Sequence, residues 1–105
     1  MAALTVQIVR FVDSDQPGWI ECRFEDATGR QHSFIEKVPI VTNENLDADS
    51  AYPQPGIVGC EIVKEFQDEK GRRLVCITTS RPWSIETAEG LSEFTVSADL
   101  ISVSD

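Results

Sequence analysis

The sequence predicts a small, mostly β domain: an antiparallel barrel or rolled sheet of about five to seven strands built from two hairpins. Three observations carry this. Apolar and polar residues alternate over short runs. Turn residues recur between the runs. No extended apolar period of 3.6 residues appears. A two-sheet β-sandwich satisfies the same pattern and is the alternative. The chain, residues 1–105, has the length of one domain.

The first strand is expected over residues 4–12, with Leu4, Val6, Ile8 and Val12 on one face and Val9 and Phe11 on the other. A strand apolar on both faces reads as a central one. A turn cluster ending in Pro17-Gly18 follows. Residues 19–25 then alternate cleanly: Ile20, Cys22 and Phe24 point one way, Glu21, Arg23 and Glu25 the other. Asp26-Ala27-Thr28-Gly29 supplies the turn, and residues 30–38 return to complete a hairpin.

A second hairpin resembles the first. Residues 57–66 place Val58, Cys60, Ile62 and Phe66 on one face, Asp68-Glu69-Lys70-Gly71 turns, and residues 72–79 return. The pattern Phe-x-Asp-x-x-Gly-Arg thus occurs twice, from Phe24 and from Phe66. Two copies read as a common hairpin connection rather than a repeat architecture. A last strand is expected over residues 93–98, with the tail 100–103 extending it or starting another. Two longer loops remain: residues 42–56, with one helical turn expected around residues 46–50, and residues 80–91.

Composition limits what such a domain does. Eighteen acidic residues face nine basic ones, for a net charge of −9. That field repels nucleic acid and anionic membrane, and steers a basic protein partner. No apolar run approaches the ~20 residues of a membrane span. The three widely spaced cysteines, Cys22, Cys60 and Cys76, read as free thiols in a reducing cytoplasm. The N-terminus shows no secretory signal pattern.

No catalytic set is expected. His32 is the single histidine, and the cysteines fall on apolar faces, where a thiol keeps its proton. Zinc sites need close Cys or His pairs, which are absent. Asn43, Asn45, Asp47 and Asp49 alternate like the start of a calcium loop, but Ala48 stands where that loop needs glycine and Gln54 where it needs glutamate. No metal or cofactor is therefore assigned, and a non-catalytic reading leads over an enzymatic one, which stays open.

Arg81-Pro82-Trp83 is the notable cluster, because Trp and Arg are enriched at interface hot spots. The expected contacts are the two long loops, with Trp83, Arg81 and Tyr52 as anchors and Glu86 and Glu89 as steering charges. The opposing expectation for Trp83 is a hydrophobic plug at an open barrel end. Size, acidity and hairpin rhythm resemble small β-barrel modules and the immunity or inhibitor proteins that neutralise basic toxins. This resemblance covers composition and rhythm, with no diagnostic motif. The missing catalytic set together with the negative charge leads to the expectation of a non-catalytic domain that binds another protein through an acidic surface, a basic partner being allowed. The alternative is a small-ligand barrel, or a sparsely equipped enzyme, with a pocket at one end lined by Trp83 and His32. A third is a homodimer formed through an exposed edge strand.

Overall fold

The computed structural model describes residues 1–104. Its seven strands are β1 (Ala2–Asp13), β2 (Trp19–Glu25), β3 (Gln31–Lys37), β4 (Gln54–Gln67), β5 (Arg73–Thr78), β6 (Glu93–Ser97) and β7 (Ile101–Val103). They form one antiparallel sheet in the order β3-β2-β1-β4-β5-β6, with β7 also paired to β1. The sheet curls into a half-barrel rather than splitting into a sandwich.

Two strands make the curl. β4 pairs with β1 from Gln54 to Cys60 and with β5 from Glu61 to Gln67, so one long strand links both halves. β1 is central: β4 lies on one edge, while β2 and β7 share the other, at Gln7–Asp13 and Ala2–Leu4 respectively. The curl lays the first hairpin over β6. Phe24 and Phe34 meet Phe94 at ring-centroid distances of 5.0 and 5.9 Å. The backbone N–H of Ala27 donates to the Thr95 carbonyl at 2.8 Å, tying the hairpin tip to β6. Leu4, Val6, Ile8, Ile20, Cys22, Phe34, Val58 and Val96 fill the concave core.

Bulges correct the expected faces. Ile8 opposes Cys22, but Arg10 opposes Glu21 and Phe11 opposes Ile20. Val9 is the inserted residue, so Phe11 returns to the face of Ile8 instead of the opposite one. A second irregularity follows between Phe11 and Asp13, and Val12, expected beside Leu4 and Ile8, is exposed. In β4, Ile62 opposes Ile77 and Lys64 opposes Cys76, with Val63 inserted. Phe66 therefore leaves the face of Ile62 and pairs with Leu74.

The turns form where the sequence places them, and one geometry serves three times. Asp26, Asp68 and Thr87 each donate their backbone N–H to the residue four later and accept at the carbonyl from the glycine three later. In each, the side chain also accepts from a backbone N–H within the turn. Gly29, Gly71 and Gly90 take φ of 89°, 81° and 86°, a region that side-chain-bearing residues avoid. The helical turn expected around residues 46–50 is instead a single hydrogen-bonded turn that is not a helix, in which the Ser50 N–H donates to the Asp47 carbonyl at 3.2 Å. The one α-helix among the described residues, α1 (Val38–Val41), begins where β3 meets Pro39, whose fixed φ suits a first helical turn.

Candidate functional site

The loop over residues 80–92 presents the most distinctive surface. Its anchor is Ile85, 1% exposed, whose N–H donates to the Thr79 carbonyl at 2.9 Å. Thr79 Oγ1 donates back to the Ile85 carbonyl at 2.7 Å. Ser84, just before the anchor, has φ of 57°, the left-handed region that costs a residue with a Cβ about 1 kcal/mol or more. The reversal at Ser84 separates an inward Ile85 from an outward Trp83.

Trp83 is 57% exposed and rests on the convex face of β4. Its seat is Gly59: a Cβ there would stand 2.9 Å from both Cδ1 and Nε1 of the indole. A glycine inside a strand commonly marks such a close approach. Trp83, Met1, Ile57, Pro39, Ile40 and Glu44 border a shallow groove of about 520 Å³. Ile57 is 49% exposed and Met1 63%, so the groove is apolar at its Trp83 end. The ring is therefore a surface platform, not a plug in a barrel end.

The charges are arranged unevenly. Glu21, buried, accepts from Arg10 Nε at 2.6 Å and Arg23 Nε at 2.9 Å. Burial works against its charge, yet the two guanidiniums hold its carboxyl below the ordinary glutamate range. Arg30 pairs with Glu89, Arg72 with Asp68 and Arg81 with Glu61. Lys37 lies over the Trp19 ring and Lys64 over Phe66. Most of the positive charge is thus engaged within the fold. Asp13, Asp15, Glu44, Asp47 and Asp49 have no cationic partner among the described residues. The β1–β2 turn, through Gln16 and Pro17, borders a second depression with Pro39, Thr42, Asn43 and Glu44. Those last four residues also border the Trp83 groove. The groove therefore leads from an exposed indole toward Glu44 and the β1–β2 turn.

The residues singled out in the sequence are only partly gathered here. Trp83 and Arg81 stand together over β4, with Arg81 Nε 3.1 Å from Glu61. Glu86 and Glu89 are exposed further along the same loop, and Glu89 reaches Arg30 on the first hairpin. Tyr52 lies in the other loop, packs against the core and donates its hydroxyl to the Asp47 carbonyl at 2.7 Å. Sequence reasoning does not reach Ile57, Met1, Gly59 and Glu44. Gly59, inside a strand, is the legible signal among them; the exposure of Ile57 depends on pairing with β1.

Catalytic geometry is weaker. His32 Nε2 lies 2.7 Å from Asp26 Oδ2, but the imidazole side chain is 5% exposed and packs on Phe24 and Phe94. Burial raises the Cys22 thiol to about 12 and the Cys60 thiol to about 11, leaving both protonated near neutrality. Among the described residues, no group of three metal-ligating side chains converges. A larger cleft of about 820 Å³ opens where β2 and β7 part along β1, bordered by Arg23, Phe24, Asp26, Arg72 and Leu100. Neither Trp83 nor His32 lines it. Comparison with known proteins finds no matching family model, no matching curated protein and no matching solved structure.

Proposed function

We propose that this chain is a non-catalytic protein-interaction domain whose acidic surface receives a basic protein partner, in the manner of an inhibitor or immunity protein. The supporting observation is the charge arrangement. Five of the six arginines, Arg73 excepted, are engaged in ion pairs within the chain, while the acidic residues of the β1–β2 turn and the 42–50 loop have no cationic partner among the described residues. Such a field speeds encounter with a cation-rich surface and rejects nucleic acid and anionic lipid. Three free cysteines suit a reducing cytoplasm.

Affinity capture of the tagged protein from its own cell lysate tests this, at low and high salt, beside the double variant Asp15→Lys/Asp49→Lys. A stoichiometric basic protein, released by salt and weakened about tenfold or more by the variant, is expected. A neutral or acidic partner, binding indifferent to salt, or recovery of the bait alone overturns the proposal.

The β2–β7 cleft favours a second reading, a small-ligand site, because its volume falls within the range of about 300–1,000 Å³ for such sites. Saturation of that cleft by a metabolite mixture, seen as chemical-shift changes at Arg23 and Leu100, would support it. Edge-strand dimerisation is less favoured. β3, at one edge, turns Glu36 toward the core side, where burial pushes its carboxyl up, and inward charge discourages strand addition.

A further inference from the structure

We infer that the groove between Trp83 and Glu44 is the docking site for one short segment of the partner, carrying a bulky apolar side chain close to a lysine or arginine. This rests on the reading of the domain as a module for a basic protein, and adds which surface is used and in which direction the segment lies.

Three observations converge on the groove. The indole is held in place rather than loose: Gly59 admits it, and buried Ile85 fixes the loop on its far side. A preorganised aromatic loses little conformational entropy on binding, which suits it as an anchor. Ser84 keeps a left-handed backbone beside it, and local strain of this kind clusters at ligand-contacting sites. The groove is also polarised. Its Trp83 end offers Met1 and Ile57, whereas its other end offers Asn43 and Glu44 and continues to Gln16 and Pro17 of the β1–β2 turn, which also carries Asp15.

Charge complementarity selects the occupant. An apolar side chain on Trp83 and Ile57 places the following residues beside Glu44, where a cation is attracted and a carboxylate is repelled. Arg81 does not cancel this at the Trp83 end, because Glu61 engages it at 3.1 Å. A second copy of this chain fits poorly, since its net charge of −9 would meet the same sign.

The test is selection from a random-peptide display library on the intact protein, with Trp83→Ala as counter-target and Gly59→Ala and Glu44→Lys as further variants. Selected peptides are expected to combine a bulky apolar residue with a nearby Lys or Arg. Their affinity should fall about tenfold or more in Trp83→Ala, and severalfold in Glu44→Lys and at high salt. Gly59→Ala retains the indole but removes its seat, so weakened binding there, with an unchanged circular dichroism spectrum, separates docking from misfolding. Peptides without cations, peptides that bind Trp83→Ala equally, or no enrichment overturn the inference. The broader reading fails separately. If lysate capture still yields a salt-sensitive basic protein that Trp83→Ala retains, only the groove is wrong. If capture yields none, both fall.

Discussion

Asp26 and His32 form the most enclosed carboxylate–cation-type side-chain pair among the described residues: Asp26 Oδ2 lies 2.7 Å from His32 Nε2, with side chains 16% and 5% exposed. The same carboxylate accepts from the Thr28 hydroxyl and from the backbone N–H groups of Thr28 and Arg30. One residue therefore closes the first hairpin turn and satisfies the buried imidazole against Phe24 and Phe94. The role is structural, and it has a pH signature.

Burial opposes the Asp26 charge, but His32, Thr28 and Arg30 outweigh it and hold the carboxyl well below its ordinary value of 3.8. A depressed folded-state value stabilises the fold above the ordinary value, and that contribution is lost as pH falls through the folded value. Asp26→Asn should cost about 2 kcal/mol at neutral pH, or roughly 8–15 °C in Tm. The gap from wild type should narrow in melts taken progressively below about pH 4. A pH-independent gap would remove the carboxylate's charge from the account.

Gly56 and Gly59 lie on the same strand yet should respond differently to an added methyl group. A Cβ on buried Gly56 would stand 2.7 Å from Val41 Cγ1 and 2.9 Å from Ile8 Cδ1. Neither neighbour is free to leave the core, so Gly56→Ala should destabilise by about 1–3 kcal/mol in urea unfolding.

At Gly59 the obstructing group is the exposed Trp83 indole, which an added methyl group would push off its seat without opening the core. Gly59→Ala should shift stability by less than about 1 kcal/mol. In a Trp19→Phe background, where Trp83 alone fluoresces, emission should move to longer wavelength. An unchanged spectrum would mean that the indole does not rest on Gly59.

Ile85 is the fastening of the presenting loop. Its side chain is 1% exposed, and Ile85→Ala should cost about 2–5 kcal/mol. Hydrogen exchange should quicken at Ile85 and Thr87, whose N–H groups donate to Thr79 and Leu91. Protection equal to wild type would place the fastening elsewhere.

Cys22 and Cys60 should resist thiol reagents in the folded protein at about pH 8, since burial raises their thiols to about 12 and 11. Cys76, half-buried with Sγ 3.3 Å from Thr95 Oγ1, should react first. Mass spectrometry after brief labelling locates the modified cysteine, and rapid labelling of Cys22 would contradict its enclosure.

Several of these features are legible in the chain itself. Alternation marks β2 and its core residues Ile20, Cys22 and Phe24, because side-chain direction in a strand has period two. Asp26 with Gly29 and Asp68 with Gly71 announce their turns, because the side-chain acceptor and the positive φ are local requirements. Apolar runs in β1 and β5 mark central strands, and both are central. The stretch from Val38 to Val41 does not announce a helix: four apolar residues after a strand carry no helical period.

Local pattern and composition were thus enough for the fold class, the hairpins and the negative net charge. The pairing of distant strands settled the rest. Bulges at Val9 and Val63 returned Phe11 to the core and turned Phe66 from it, since an inserted residue shows only against its partner strand. The loop after β5 seated Trp83 on Gly59 beside Ile57 on the neighbouring β4, and the folding of each loop tied Tyr52 to Asp47, Arg81 to Glu61 and Glu89 to Arg30. Of these contacts, that between Arg30 and Glu89 depends also on the curl that lays the first hairpin over β6, and the others on how each loop folds; no local preference of either partner specifies them.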